Sequence, residues 1–133
     1  MRDEELERLA TTAVDCGMQI HRELGPGLLE SAYEAILSEE LRSRGIGVAR
    51  QVNVPLRYKS IVIDNAFKVD LLVENRLIIE LKSAGRLLPV HGKQVLTYLR
   101  LMNLPLGLLM NFGEEVLRTG IKRVANDYSG NRV

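Results

Sequence analysis

The sequence predicts an α/β or α+β fold in which helices cover a mixed β-sheet. Apolar residues recur at helical spacing over residues 3–24 and 29–41, which indicates two amphipathic helices. The apolar period then changes to two between Val48 and Lys82, as expected for strands with alternating sides. A third helical pattern over residues 89–102 precedes a short apolar run, 107–112, typical of a buried central strand. Helices and strands in this order pack as layers on a common sheet.

Turn signals set the limits of the individual elements. Gly25-Pro26-Gly27 is expected to end the first helix, and Gly45 to end the second. Pro89 can begin the third helix because proline is tolerated at the first helical position. Turns at 59–60 and 74–76 divide the extended region, and the predicted strands are residues 48–58, 61–63, 67–73 and 77–82. The segment 114–133 carries no clear pattern.

Composition limits the class of protein. A chain of 133 residues fits one compact domain, 1–133, and 46% hydrophobic with 26% charged residues is the balance of a folded protein. No apolar run approaches the roughly 20 residues of a membrane span, and the charged N-terminus lacks the apolar core of a signal peptide. Cys16 is the only cysteine, which excludes an intrachain disulfide, favours a buried thiol and makes the cytoplasm the expected location. The net charge of +1 means that any nucleic-acid surface must be local.

The strand pair 67–82 holds the most informative side chains. If residues 74–76 form a three-residue turn, counting back from the turn places Asp70 opposite Glu80, with Cβ atoms about 4.5–5.5 Å apart. Lys82 lies two residues beyond Glu80 and therefore projects from the same face. A two-residue turn would shift this register by one position.

Two opposed carboxylates among apolar neighbours indicate a cation site or a shared proton. Their mutual repulsion and partial loss of water are unfavourable unless one of these compensates. Mg²⁺ binds one or two carboxylates while keeping several waters, and a bound divalent ion can activate a water. Lys82 could then orient that water or stabilise charge on a phosphoryl group. The alternative is a partly exposed strand on which Lys82 merely pairs with Glu80 or Asp70.

The third predicted helix supplies a second polar pair. Gln94 and Tyr98 are four residues apart and share a face, from which they could reach a phosphate or the attacking water. The alternative is an ordinary polar face in solvent. His91 lies one turn earlier, but no second histidine or cysteine is spaced to join it as a metal ligand.

Several ordered blocks of the chain match a known pattern. Residues 27–33 read Gly27-Leu28-Leu29-Glu30-Ser31-Ala32-Tyr33, a GxxExxY motif. Further matching blocks are residues 21–27, 66–73, 77–82, 87–91, 94–99 and 107–112. Over roughly residues 14–126 the chain closely resembles the GxxExxY family, a branch of the PD-(D/E)XK nuclease superfamily. Val69 stands where the motif name of the superfamily has proline, at a variable position that does not touch the metal.

The resemblance implies a fold and a metal site. The fold is a restriction-endonuclease-like core of helix, three strands, helix and strand. The implied metal ligands are Asp70 and Glu80, with the backbone carbonyl of Leu81 as a usual additional ligand. Lys82 corresponds to the catalytic lysine.

The resemblance also implies roles for residues on the helices. Glu30 looks like the helical acidic residue of some members, and is the fourth implied metal ligand. Gln94 and Tyr98 look like the Gln-x-x-x-Tyr motif of the exonuclease-like branch. Glu30 has a competing explanation, because a carboxylate in the first turn favours the helix dipole. Tyr33 lies on the apolar face of its helix, where a core role competes with a site role.

These observations together predict a Mg²⁺- or Mn²⁺-dependent nuclease that hydrolyses DNA by water attack on a backbone phosphate. The alternative is a catalytically silent module of the same fold that binds nucleic acid or a protein partner. A third hypothesis is that the chain is a structural or regulatory subunit that works only within a complex. No membrane partner is expected, and a homodimer or a larger assembly stays open.

Overall fold

The computed structural model describes residues 3–128 of the chain. The elements, in chain order, are α1 (Glu4–Leu24), α2 (Glu30–Ser43), β1 (Val48–Tyr58), β2 (Ile61–Val73), β3 (Leu77–Lys82), α3 (Pro89–Met102), β4 (Leu106–Asn111), a 3-10 turn (Leu117–Gly120) and β5 (Ile121–Ala125). No helix among the described residues is long and apolar enough to cross a membrane.

The five strands form one mixed sheet in the order β1-β2-β3-β4-β5. Strands β3 and β4 are parallel, and α3 is the crossover between them, while every other neighbouring pair is antiparallel. Parallel neighbours need such a crossover because a tight turn cannot join them. The α/β class, the mixed sheet and the order helix, three strands, helix, strand from α2 to β4 are therefore confirmed.

Local chemistry explains where the helices begin and end. The Asp3 carboxylate accepts a hydrogen bond from the Leu6 amide at 3.1 Å, which caps α1. Gly25 ends α1 with a φ of 73°, a conformation that favours glycine. Helix α3 begins at Pro89 as expected, and the His91 Nδ1 accepts from the Leu88 amide at 3.0 Å. His91 therefore has a capping role.

Apolar side chains form one core on each face of the sheet. The α1–α2 core contains Leu71, Ile79 and Leu81 together with the buried faces of both helices. The α3 core contains Leu72 and Ile78, which alternate with those residues along β2 and β3. Both faces of the central strands are covered, so β3 and β4 are buried almost throughout.

The α1–α2 core contains Cys16 and Tyr33, whose roles the sequence left open. Cys16 is fully buried, which raises the pKa of its thiol, as expected for a core cysteine. Tyr33 is fully buried and its ring stacks on Phe112 at 4.4 Å between centroids. Its core role is thereby clear.

The predicted division of the second strand is wrong. Residues 61–63 and 67–73 were expected as separate strands, but β2 runs without a break because β1 pairs along its length. A register shift between Val54 and Leu56 accommodates the irregular middle of the hairpin. The segment 114–133 contains the 3-10 turn and the edge strand β5, whose partner β4 could not be inferred from a local pattern. Residues 129–133 lie outside the described part.

The predicted register between β2 and β3 is confirmed for the three pairs next to the turn. Val73 faces Leu77, Leu72 faces Ile78 and Leu71 faces Ile79. Glu74 and Asn75 adopt φ values of 52° and 56°, a left-handed pair that matches the twist of a tight hairpin. This register controls where the next side chains, Asp70 and Glu80, come to lie.

Candidate active site

The backbone ladder between β2 and β3 ends at the predicted site. Beyond the Leu71–Ile79 pair, side-chain carboxylates replace backbone carbonyls as hydrogen-bond acceptors. The Asp70 amide donates to Glu80 Oε1 at 2.9 Å, and the Leu81 amide donates to Asp70 Oδ2 at 2.9 Å. The two strands thus fork around a pair of carboxylates, and each carboxylate is held by the strand opposite its own.

Strand alternation is interrupted at the fork. Val69 belongs to the α3 core and Leu71 to the α1–α2 core, although residues two apart in a regular strand share a face. Gln51, on the neighbouring strand, has a φ of 51°, which is unusual for a residue other than glycine. The irregular backbone directs the Asp70 carboxylate towards β3.

Glu80 is a buried carboxyl with an altered acidity. Its side chain is 7% exposed. Burial, followed by the negative charge of Asp70, raises the pKa of Glu80 to about 8, although the positive charge of Lys82 opposes the rise. At neutral pH, two adjacent carboxyl groups that cannot both ionise easily form a site of strong affinity for a cation or a proton.

Lys82 lies at the end of β3, within electrostatic range of Glu80. It is partly buried, and among residues 3–128 the structure records no ion pair for it. The alternative in which Lys82 forms a salt bridge with Glu80 or Asp70 therefore has no support in the structure.

A buried asparagine fixes the loop that follows Lys82. Asn111, the last residue of β4, is fully buried. Its Oδ1 accepts from the Ala84 and Gly113 amides at 3.0 Å, and its Nδ2 donates to the Ala84 carbonyl at 3.0 Å. These three bonds tie the end of β3 to the end of β4 beside the fork.

Helix α2 approaches the fork with two carboxylates. Glu30 is exposed, and its Oε2 accepts from the Ser83 amide at 3.3 Å, so it lies near the end of β3. Glu34, one turn later, is only 5% exposed and contacts Arg50 and Gln51 of β1. Sequence reasoning singled out Glu30 and missed Glu34.

Helix α3 brings Tyr98 towards the same site. Tyr98 is partly buried, and its ring lies 5.3 Å from that of Phe67. Burial raises the pKa of Tyr98, and the charges of Glu80 and Asp70 raise it further, which places the phenol within their field. Gln94 is exposed, and the described part of the chain contains no hydrogen bond from its side chain.

The donor set is small but fits a hard divalent cation. Across residues 3–128, no group of three or more His, Cys, Asp or Glu side chains is arranged to hold a metal ion. The structure thus brings together the Asp70–Glu80 pair and does not group Glu30 with it. Two carboxylates are nevertheless the number through which Mg²⁺ is commonly bound, because it retains waters and binds substrate oxygens. The unbalanced charge of the pair, with Glu80 buried, fits such an ion.

Three residues near the site were missed from the sequence: Gln51, Glu34 and Asn111. Gln51 and Glu34 carry no local motif and meet only through the fold. Asn111 could have been noticed, because an asparagine at the end of an apolar strand needs hydrogen-bond partners if it is buried.

Comparison with known proteins agrees with this fold. The family model described as the PD-(D/E)XK nuclease superfamily matches residues 7–124, a range that contains Asp70, Glu80 and Lys82. No curated protein and no solved structure matches the chain. The match covers most of the chain, and the mixed five-stranded sheet with its flanking helices is consistent with it. The chain belongs to the PD-(D/E)XK nuclease superfamily.

Proposed function

We propose that this protein is a nuclease that uses Mg²⁺ or Mn²⁺ to hydrolyse DNA phosphodiester bonds. The observation that carries the proposal is the buried Glu80 carboxyl, held against Asp70 with a pKa of about 8. A structural carboxyl would gain nothing from this arrangement, whereas a cation between the two groups would compensate both charges.

The proposed ligands are Asp70, Glu80 and the backbone carbonyl of Leu81, with Glu30 as a further ligand from α2. Hydrogen bonds from the Asp70 and Leu81 amides already orient the two carboxylates, so little reorganisation is needed. When bound, the ion would supply a water of lowered pKa and neutralise charge on the phosphate.

Lys82 is the proposed catalytic lysine. Its ammonium group, close enough to affect Glu80, can orient the attacking water and stabilise negative charge that develops on the phosphate. Tyr98 and Gln94, on the facing helix, are proposed to contact substrate phosphates. Tyr98 has the stronger support, because its phenol already lies in the field of the carboxylates.

We also propose membership of the GxxExxY branch. The support is that its tyrosine has a clear structural task here. The buried Tyr33 hydroxyl donates to the Gly25 carbonyl and accepts from the Leu28 amide at 3.1 Å. It thereby shapes the loop from which α2 and Glu30 begin. A glycine-containing loop, a helical acid and an anchoring tyrosine at this spacing form one structural unit.

A panel of labelled substrates tests the proposal. Single-stranded, double-stranded and branched DNA, and RNA, are incubated with Mn²⁺, Mg²⁺ or EDTA. We expect metal-dependent cleavage by the wild type, loss in Asp70→Asn and Glu80→Gln, and full activity in Glu115→Gln, a change to an exposed carboxyl outside the site. Nucleic-acid binding without cleavage under every condition would instead favour a silent binding module, and copurification of a partner with no isolated activity would favour a subunit of a complex.

A further inference from the structure

Gln51 on β1 joins two carboxylates that come from different elements. Its Nε2 lies 2.7 Å from Glu34 Oε1 and 3.2 Å from Asp70 Oδ1. A side-chain amide nitrogen carries two hydrogens, so each carboxylate can accept one. The opposite orientation of the amide would set its oxygen against two negative groups. The amide is therefore held in one orientation, with its nitrogen towards the site.

Glu34 anchors this amide from α2. It is 5% exposed, and its second oxygen accepts from Arg50 Nε at 3.0 Å. Both of its carboxylate oxygens are thus bound by residues of β1. Because a donor binds each of its oxygens, this buried carboxylate has little freedom to rotate.

The backbone of β1 is bent to make these contacts. Arg50 and Gln51 are consecutive, and in a regular strand their side chains would point to opposite faces. Both nevertheless bind Glu34. The left-handed φ of 51° at Gln51 makes this geometry attainable, although it is unfavourable for a residue with a Cβ. Backbone strain of this kind is concentrated at functional sites.

We propose that Gln51, anchored by Glu34, is a positioning residue that fixes the orientation of the Asp70 carboxylate. Asp70 Oδ2 accepts from the Leu81 amide, and Asp70 Oδ1 accepts from Gln51. One donor on each oxygen restrains rotation of the carboxylate about its χ2 angle. The consequence for metal binding rests on the proposed function, in which Asp70 is a ligand. Groups that orient a metal ligand typically change metal affinity 10- to 100-fold when they are removed.

The first test needs no metal. In Gln51→Ala, the Asp70 carboxylate should rotate more freely, and the Leu81 amide that it binds should exchange with solvent about five to ten times faster by NMR. Gln51→Gly should show the same faster exchange of the Leu81 amide. Glycine adopts a positive φ without strain, so strain introduced by alanine at position 51 would not explain a result shared by both variants. Asn53→Ala, a change to an exposed amide on the same strand, is the control and should leave this amide unaffected. Unchanged Leu81 exchange in both Gln51 variants would overturn the inference.

The second test measures Mn²⁺ affinity by calorimetry. Gln51→Ala should weaken binding on the order of 10-fold or more, and Glu34→Gln should weaken it less. Because Glu34 acts through Gln51, the double variant should be no weaker than Gln51→Ala alone. Asp70→Asn separates the two proposals. If Asp70→Asn abolishes binding and Gln51→Ala leaves it intact, the positioning role is wrong and the metal site stands. If Asp70→Asn leaves binding intact, the metal site is wrong, and the exchange of Leu81 still decides the role of Gln51.

Discussion

Replacing Glu80 by glutamine should stabilise the metal-free protein at alkaline pH. The glutamine keeps the shape of the protonated carboxyl, and its oxygen can still accept from the Asp70 amide. Its NH₂ group can donate to the Asp70 carboxylate, as a protonated Glu80 would. The variant therefore imitates Glu80 in its neutral state and removes the charge that burial opposes.

The free energy of unfolding depends on pH because the pKa of Glu80 differs between the unfolded chain, about 4.5, and the folded protein, about 8. Below about pH 4.5 the carboxyl is protonated in both the folded and the unfolded chain, so the full stability is present. Between pH 4.5 and about 8 only the unfolded chain releases the proton, and stability falls as the pH rises. At about 1.4 kcal/mol per pH unit, the loss has an upper limit of roughly 5 kcal/mol. Relaxation of the site should reduce it to about 1–3 kcal/mol.

The assay is urea unfolding in EDTA at intervals from pH 5 to pH 9. Glu80→Gln should match the wild type near pH 5 and become progressively more stable than it up to about pH 8. Mn²⁺ should offset this difference, because binding to the wild type alone adds about 2.7 kcal/mol at 100 times the dissociation constant, a gain of the same size as the expected loss. Glu115→Gln controls for the loss of an exposed charge. A constant difference between the wild type and Glu80→Gln across this pH range would refute the reasoning.

Three further changes probe other parts of the site. Lys82→Ala should lower DNA cleavage on the order of 10²-fold while Mn²⁺ binding and melting temperature stay close to those of the wild type; undiminished cleavage by the folded variant would remove Lys82 from the mechanism. Asn111→Ala should lower the free energy of unfolding, measured by chemical denaturation, by about 2–4 kcal/mol, because three buried hydrogen bonds are lost. A loss below about 1 kcal/mol would contradict the proposal that Asn111 anchors Ala84. Tyr33→Phe keeps the ring stack on Phe112 but loses the hydrogen bonds of the hydroxyl, so the free energy of unfolding should fall by about 1–2 kcal/mol. Calorimetry measures this loss, and an unchanged melting temperature would contradict it.

Local patterns in the sequence determined the element types and one register. Amphipathic spacing, a proline at the start of α3 and the turn at 74–76 act over a few residues, and they sufficed to predict three helices and the β2–β3 pairing. Extending that register by one position predicted Asp70 opposite Glu80, and the resemblance supplied their proposed roles. Local patterns did not reveal that residues 61–73 form one strand, because continuity there depends on pairing with β1.

The tertiary structure decided what surrounds the carboxylates. Gln51 contacts Asp70 across the β1–β2 hairpin, and Glu34 can bind Gln51 only after α2 packs beside β1. The acidity of Glu80 likewise depends on burial, and burial is a property of the assembled core rather than of the Glu80-Leu81-Lys82 triplet. Periodicity therefore determined which side chains belong to the strands at the fork. Long-range packing determined their charge state and hydrogen-bond partners, because desolvation and hydrogen bonding act between residues distant in sequence.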